Sequence, residues 1–149
     1  MPRRKRDPFN KLFGNVKQCG AFLKDGEWTI SSKTNMDRWK GTGAWSGNWE
    51  PAKIYITKED LKDIWYNKQG GKCFWFGIEL DPEWIYEKRH PLALSVDRID
   101  DDGDYSKDNV VICCRIANFG RNTYSFDGFQ EVVRYMKSGI LKENKNEGL

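Results

Sequence analysis

Residues 95–122 read SVDRIDDDGDYSKDNVVICCRIANFGRN, and this stretch decides the fold. At its start, Leu92, Leu94 and Val96 alternate with smaller or polar residues. A period of two is typical of a half-buried β-strand, and here the strand is predicted to end near Asp97. A carboxylate that can bind a metal ion is therefore expected at the end of the strand.

A turn and a second strand are predicted next. The run DDDGD at residues 100–104 cannot bury itself and has the composition of a turn. The apolar run from Val110 to Ile112 is short and can pair back on the first strand. The sequence therefore predicts a β-hairpin.

From Cys113 onward the pattern changes to that of a short helix. Its expected apolar residues are Cys114, Ile116, Ala117 and Phe119. This spacing places Asn118 late on the helix, and Gly120 is expected to end it. A hairpin followed by such a helix can bring Asp97 and Asn118 together.

The arrangement resembles the HNH, or ββα-metal, endonuclease family. The resemblance is to its phage-type branch, in which a DRID strand leads through a Tyr-containing loop to DNV and then to a helix ending in Asn. It covers roughly residues 57–133. It implies an α+β fold with a ββα-metal core. It also implies a sequence-specific, metal-dependent endonuclease of the free-standing homing type that hydrolyses phosphodiester bonds in double-stranded DNA.

Three residues carry the resemblance. Asp97 matches the family's metal-binding Asp, Asn109 the central Asn that braces the loop, and Asn118 the metal-binding residue on the helix. The resemblance implies one divalent ion, Mg²⁺ or Mn²⁺, held by Asp97 and Asn118 at the scissile phosphate. Two oxygen ligands leave open positions for phosphate and water, which suits Mg²⁺.

One departure concerns the general base, because the family's His falls on Arg98. A guanidinium stays protonated and offers no acceptor, so Arg98 is expected to neutralise a phosphate instead. The base is then His90, Tyr105 or a metal-bound hydroxide. His90, the only histidine, can equally be a surface residue in the polar turn EKRHP.

A second departure concerns zinc, because many HNH proteins carry two CxxC pairs. Here the pairs are Cys73 with Phe76 and Cys114 with Ala117, so each has lost one thiol. No structural zinc is expected, and Cys73 and Cys114 should lie near each other. The packing expected in place of zinc involves Phe74, Trp75, Phe76 and Ile116.

Positive charge is concentrated near the start of the chain. Through Lys40 there are ten Lys and Arg against four Asp and Glu, while the rest has fifteen against eighteen. Such a segment is typical of DNA binding, although residues 1–6 can also be a solubilising tail. The expected DNA contacts are Arg3, Arg4, Lys5, Arg6, Arg38, Lys40 and Arg121.

Residues 19–56 are rich in Gly, Trp, Ser and Thr, which favours strand and loop. Trp45 and Trp49 lie close to basic residues and can stack on nucleic acid. Packing in a core explains these tryptophans equally well.

The chain of 149 residues is long enough for one core. The expected division is a basic, Trp-rich N-terminal DNA-binding extension at residues 1–56, an HNH-like catalytic core at 57–140 that includes a C-terminal helix, and a disordered tail at 141–149.

Two helices are expected within the core. Thr57 can cap the first, which Gly70 and Gly71 should stop, and Ser125 can cap the second, which Gly139 should end. The first has an apolar face of Leu61, Ile64 and Trp65. The second has an apolar face of Phe129, Val132, Val133 and Met136.

The sequence also indicates where the protein acts. No apolar run approaches the roughly 20 residues of a membrane helix, and MPRRKR leads into polar sequence rather than a signal-peptide core. An intracellular protein with reduced thiols is expected, in the cytoplasm of a bacterial or phage-infected host. The oligomeric state is left open.

A second function, from a different class, stays open beside the endonuclease. Arg98 at the base position suggests a DNA-binding protein on a catalytically decayed HNH scaffold. A calcium loop is disfavoured, because a bidentate acid is missing at the end of a twelve-residue loop.

Overall fold

The computed structural model describes residues 6–33, 36–37 and 50–147, with residues 140–147 as backbone only. Helices and two antiparallel two-stranded sheets make up this part of the chain, so the predicted α+β class is confirmed. None of its helices is long and apolar enough to span a membrane. The elements in chain order are α1 (Pro8–Cys19), β1 (Ala21–Lys24), β2 (Glu27–Ile30), α2 (Lys58–Asp63), a π-helical turn (Ile64–Lys68), a 3-10 helix (Pro82–Tyr86), β3 (Leu94–Arg98), β4 (Val110–Cys114), α3 (Arg115–Arg121) and α4 (Phe126–Glu147).

The predicted hairpin is formed by β3 and β4. The two strands pair antiparallel, with Asp97 opposite Val111 and Leu94 opposite Cys114. Every residue of β4 is buried, because that strand lies in the middle of the core. Leu92 precedes the strand, so the alternating pattern extended the predicted strand too far towards the N-terminus.

Helix α3 follows β4 directly, as predicted, but its end and its apolar face differ from the prediction. It continues through Gly120 to Arg121, and Asn122 caps it with a φ of 48°. The positive φ at the end of the helix therefore falls on Asn122, and Gly120 does not act as the terminator. Ala117 is buried, whereas Ile116 and Phe119 are 51% and 73% exposed.

Helix α2 has the predicted start. The Thr57 hydroxyl accepts a hydrogen bond from the Asp60 N–H, and the Asp60 carboxylate accepts one from the Thr57 N–H. This capping box satisfies two donors that the first helical turn leaves unpaired. Gly70 and Gly71 follow the π-helical turn with positive φ values, which end the helix as predicted. The predicted apolar face of Leu61, Ile64 and Trp65 is buried.

The N-terminal part of the chain packs into the same core as the hairpin. Asp7 caps α1, and Phe9, Leu12 and Val16 on that helix belong to the same buried cluster as the residues of β4. The helix itself contacts α2, the 3-10 helix and β3. Residues on both sides of the boundary predicted at residue 56 therefore share one core in the described part of the chain, and the division into a DNA-binding extension and a catalytic core stays a prediction.

The strand and loop structure predicted for residues 19–56 is found in part of that range, whereas the described residues Lys33, Met36 and Asp37 are helical. Strands β1 and β2 form a hairpin through a turn at Asp25 and Gly26. Further along, Ile54 forms a bridge to Tyr105, which attaches this part of the chain to the loop after β3.

Helix α4 is longer than the sequence predicted. Ser125 caps it by accepting a hydrogen bond from the Gly128 N–H, as expected. The helix then passes Gly139 and continues through Glu147, so residues 141–147 are helical rather than a disordered tail. Glycine weakens a helix by about 1 kcal/mol relative to alanine but does not by itself end it. Phe129 and Val133 are buried, whereas Val132 and Met136, expected on the same face, are about half exposed.

Candidate functional site

Strand β3 and helix α3 bring the two predicted metal ligands to one cavity. We call it the Asp97 pocket; it has a volume of about 480 Å³. Asp97, Arg98 and Asn118 line it, together with Asp101 from the turn after β3. The remaining lining residues are Cys19, Val96, Tyr105, Phe119 and Asn122.

Asp97 is 5% exposed, and each of its two carboxylate oxygens accepts a hydrogen bond. Its Oδ1 accepts a hydrogen bond from Arg121 Nη1 at 2.8 Å, and its Oδ2 accepts one from the indole Nε1 of Trp75 at 3.0 Å. Burial raises the pKa of the Asp97 carboxyl, and these two hydrogen bonds offset part of the rise. A carboxylate has about four acceptor positions, so each oxygen keeps capacity for a further ligand.

The side chain of Asn118 has a fixed orientation. Its Nδ2 donates to Ser95 Oγ at 2.7 Å and to the Val96 carbonyl at 3.3 Å, which uses both amide hydrogens. Because the Val96 carbonyl can only accept, the amide nitrogen faces β3 and the amide oxygen is left as the atom that can act as a ligand.

Arg98 stands between the Asp97 pocket and the loop after β3. Its Nη1 donates to the Gly103 carbonyl at 2.6 Å, and its guanidinium carbon lies 4.8 Å from the centre of the Tyr105 ring. A guanidinium has five donors, so these contacts fix its position and leave donors for an anion. The phosphate contact expected of Arg98 stays a prediction.

Arg121 is buried beside Asp97, and this position does not fit the DNA contact that was predicted for it. Its side chain is 1% exposed, and it pairs with Asp97 while its second carboxylate neighbour, Asp101, lies 3.5 Å away. It also donates to the carbonyls of Arg98, Ile99 and Tyr124. A guanidinium with its donors occupied inside the protein cannot hold a phosphate of bound DNA.

Asn109 holds the loop between the strands, as predicted. Its Oδ1 accepts a hydrogen bond from the Asp100 N–H at 2.9 Å. Its Nδ2 donates to the carbonyls of Asp100 and Asp104 at 3.0 and 2.9 Å. Gly103 is needed beside it, because a Cβ there would lie 2.7 Å from Asn109 Nδ2.

His90 does not line the Asp97 pocket. Its Nδ1 accepts a hydrogen bond from the Leu92 N–H at 3.0 Å, and its Nε2 lies 3.4 Å from a Glu87 carboxylate oxygen. The ring also stacks on Trp84 with centroids 4.7 Å apart. A neutral imidazole has one acceptor nitrogen, and here the backbone occupies it. This position fits the structural alternative for His90.

Three residues lie at the site that the sequence did not predict to be there. Trp75 binds Asp97, Asp101 adds a second carboxylate, and Cys19 brings the end of α1 to the pocket. The sequence showed Asp101 as part of the acidic turn, but it did not show that the side chain lines the pocket. The other two come from distant parts of the chain, and no local pattern marks them.

Cys73 and Cys114 lie next to each other, as predicted, with their Sγ atoms 3.9 Å apart. The Phe76 N–H donates to Cys73 Sγ at 3.4 Å. The hydrogen bond with Cys114 lowers the pKa of Cys73 to about 6, and the same contact, together with burial, raises that of Cys114. The expected lack of zinc stays a prediction.

The packing around this cysteine pair differs in one residue from the prediction. Trp75 contacts the rings of Phe74, Phe126 and Phe129, with centroids 5.0 to 5.2 Å apart. Ile116, expected in this packing, is half exposed because it lies on the outer side of α3. Two aromatic residues of α4, Phe126 and Phe129, pack against Trp75 instead.

Most of the predicted DNA contacts lie outside the described residues. The undescribed contacts are Arg3, Arg4, Lys5, Arg38 and Lys40. Trp45 and Trp49, predicted to stack on nucleic acid, also lie outside the described residues. Arg6 is described, and its guanidinium carbon lies 4.4 Å from the centre of the Tyr86 ring.

Comparisons of the chain with protein-family profiles, with curated proteins and with solved structures found no match. Among the described residues there is also no group of three or more His, Cys, Asp or Glu side chains placed to hold a metal ion. The Asp97 pocket offers a smaller, mixed set of carboxylate and amide oxygens. Any functional assignment therefore rests on the chemistry of this pocket.

Proposed function

We propose that the protein is a metal-dependent DNA endonuclease of the HNH, or ββα-metal, type. Its substrate is double-stranded DNA, cut at a specific sequence in the manner of a homing enzyme, in the cytoplasm of a bacterial or phage-infected host. One observation carries the proposal. A carboxylate, an amide oxygen and a guanidinium meet in a single pocket where a β-hairpin joins a helix.

The donor set fits a hard divalent cation. Asp97 offers a carboxylate oxygen, and the orientation of Asn118 leaves its amide oxygen as a ligand. Oxygen donors of this kind suit Mg²⁺ or Mn²⁺. When bound, such an ion supplies electrostatic stabilisation of the charge that develops on a phosphodiester during hydrolysis.

Side chains of the protein bind the phosphate, orient Asp97 and hold the loop in place. Arg98 binds a phosphate oxygen, because it is anchored by the Gly103 carbonyl and keeps free donors. Arg121 and Trp75 orient Asp97 through one hydrogen bond to each oxygen. Asn109 keeps the loop closed, so that Arg98 stays at the mouth of the pocket.

The proton of the attacking water needs an acceptor. His90 lies outside the pocket, and burial raises the pKa of Tyr105, which makes its phenolate scarce. Asp101 is the other carboxylate that lines the Asp97 pocket, and its side chain is 32% exposed. In our proposal Asp101 accepts this proton.

A second candidate is a DNA-binding protein on a decayed HNH scaffold. The observation that favours it is the contact between Asp97 and Arg121, since a buried guanidinium already neutralises the carboxylate that a cation needs. A decayed site predicts DNA binding without cleavage in any divalent metal.

The test is cleavage of phage or plasmid DNA with Mg²⁺ or Mn²⁺, and with chelator as the control. Asp97→Asn is the variant of choice. Both Asp97→Ala and Asp97→Asn remove the anion beside the buried Arg121, a change that costs about 3–5 kcal/mol of stability when no partner is left. Asp97→Asn is preferred because its amide oxygen can still accept the hydrogen bond from Arg121. We expect metal-dependent cleavage by the parent and none by Asp97→Asn, with DNA binding retained in both. Full cleavage by a folded Asp97→Asn protein would contradict the assignment.

A further inference from the structure

A second cavity adjoins the Asp97 pocket. It has a volume of about 540 Å³, and we call it the flanking cavity. Cys19, Arg98 and Asp101 line both cavities. A ligand held at Arg98 can therefore extend from one cavity into the other.

An aromatic ring stands in the wall of the flanking cavity. Tyr55 lines it and is 58% exposed, although its backbone is fixed by a hydrogen bond to the Tyr105 carbonyl at 2.8 Å. The ring meets Trp28 edge to face with centroids 5.5 Å apart, and Lys53 Nζ lies 5.0 Å from the Trp28 ring. An exposed ring on a fixed backbone beside a cation is suited to stacking with a base.

The other polar groups of the flanking cavity are carboxylates. Asp104 accepts a hydrogen bond from the Lys53 N–H, and Asp101 faces Arg121. The carboxylates of Glu50 and Asp102 have no hydrogen-bond partner among the residues that the structure describes. Carboxylates repel a phosphate, but they accept hydrogen bonds from the amino group of a base, as they do from N4 of cytosine.

We propose that the flanking cavity holds an unpaired nucleobase next to the phosphate bound at Arg98. The base stacks on Tyr55 and donates an amino hydrogen to Glu50 or Asp102. Adenine and cytosine carry such an amino group and thymine does not, so the cavity prefers the first two. Its volume lies within the usual range for a small-molecule site. The identity of the ligand as DNA rests on the proposed function.

Binding without metal tests this site apart from cleavage. The probes are fluorescein-labelled single strands of dA, dC or dT, about six nucleotides long, bound to the full chain in EDTA and followed by anisotropy. We expect dA and dC to bind more tightly than dT. Tyr55→Ala should weaken the binding of dC by about 5- to 150-fold, whereas Tyr55→Phe should not. Tyr66→Ala is the matched control, because Tyr66 is also 58% exposed but lines neither cavity.

The acceptors are tested with Glu50→Ala combined with Asp102→Ala. Both side chains are exposed, so the fold should survive. This variant should bind dC and dT equally. Equal binding of dC and dT by the parent, or unchanged binding by Tyr55→Ala, would overturn the inference even if the protein cleaves DNA. Selective binding that depends on Tyr55 supports it even if no cleavage is found, and the proposed nuclease alone then fails.

Discussion

Asn118 has two roles at the residue scale, and they can be separated. Its amide nitrogen holds Ser95 and the Val96 carbonyl, whereas its oxygen is the proposed ligand. Asn118→Ala removes both, so we expect metal-dependent cleavage to be lost and Mn²⁺ binding, measured by calorimetry, to weaken at least tenfold.

Ser95→Ala is the matched control for Asn118. It removes the hydrogen bond between the two side chains but keeps the amide oxygen, so Mn²⁺ affinity should change much less. Equal weakening in both variants would mean that Asn118 only holds the strand and the helix together.

Asp101 is the proposed proton acceptor, and Asp101→Asn removes its basicity with little change in shape. The cleavage rate should fall by about 10²- to 10⁴-fold, while DNA binding is kept. Asp108→Asn makes the same chemical change in the same loop but away from the pocket, and should leave the rate unchanged. An unaltered rate in Asp101→Asn would remove this residue from the reaction.

Arg98 occupies the position at which the HNH endonucleases that the sequence resembles have histidine. Arg98→His loses a permanently charged group with several donors, so we expect the cleavage rate to fall and the affinity for DNA to weaken. A higher rate in Arg98→His would instead show that the site lacks only its base. The cleavage rate in a single turnover, measured at saturating protein, distinguishes a phosphate-binding role of Arg98 from a site that lacks only its base.

Individual residues differ in how far the sequence could predict them. Asp97 and Asn118 reach the same pocket because their elements follow each other along the chain, and spacing is enough to predict that. Arg121 lies in the same stretch, but its burial against Asp97 depends on how the helix packs. Trp75 is 22 residues from Asp97, and such a contact is set by tertiary packing alone.

At the scale of elements, the N-terminal caps were predicted correctly, whereas of the predicted C-terminal ends only the one at Gly70 and Gly71 was correct. Thr57 and Ser125 each bind the backbone three residues further on, so both partners are visible in a short window of sequence. Gly120 and Gly139 lie within helices instead. Glycine permits a helix to end, but the end itself is decided by what the next residues pack against.

Gly139 gives a stability prediction that follows from its helical position. Nothing lies within 4 Å of a Cβ added there, and its φ is not positive. Gly139→Ala should therefore raise the free energy of unfolding by about 0.5–1 kcal/mol, or the melting temperature by about 1–4 °C. Thermal unfolding followed by circular dichroism measures this.

Gly70 is the control for that substitution. It also has open space around its Cβ position, but its φ is +62°, which alanine adopts only under strain. Gly70→Ala should lower the melting temperature. A loss of stability in Gly139→Ala as well would show that α4 does not continue past residue 139 in solution.

At the scale of the whole molecule, one core contains residues from both sides of the boundary predicted at residue 56. Phe9, Leu12 and Val16 belong to the same buried cluster as Ile112 in the hairpin. A signal for this was present, since Asp7 and Pro8 form a helix start and the three apolar residues have helical spacing. The basic charge of the first residues made an extension the more obvious interpretation.

The basic start of the chain can be tested apart from this core. Arg6 contacts Tyr86 and α1 begins at Pro8, so removal of residues 1–5 leaves the described packing intact. It deletes Arg3, Arg4 and Lys5, and affinity should fall for all DNA sequences alike. The slope of log affinity against log salt should shrink by about 0.9 for each DNA phosphate that the shortened protein no longer neutralises.

A matched control for this truncation is the pair Arg134→Gln and Lys137→Gln, which removes two charges from an exposed stretch of α4. This pair should leave the salt slope unchanged if the N-terminal residues bind the phosphates. Both proteins are compared with the parent by anisotropy at several salt concentrations, on specific and unrelated duplexes. The same slope in the parent and in the truncated protein would show that residues 1–5 do not touch DNA. Weaker binding confined to one sequence would instead show that they read bases, because phosphate contacts carry no sequence information.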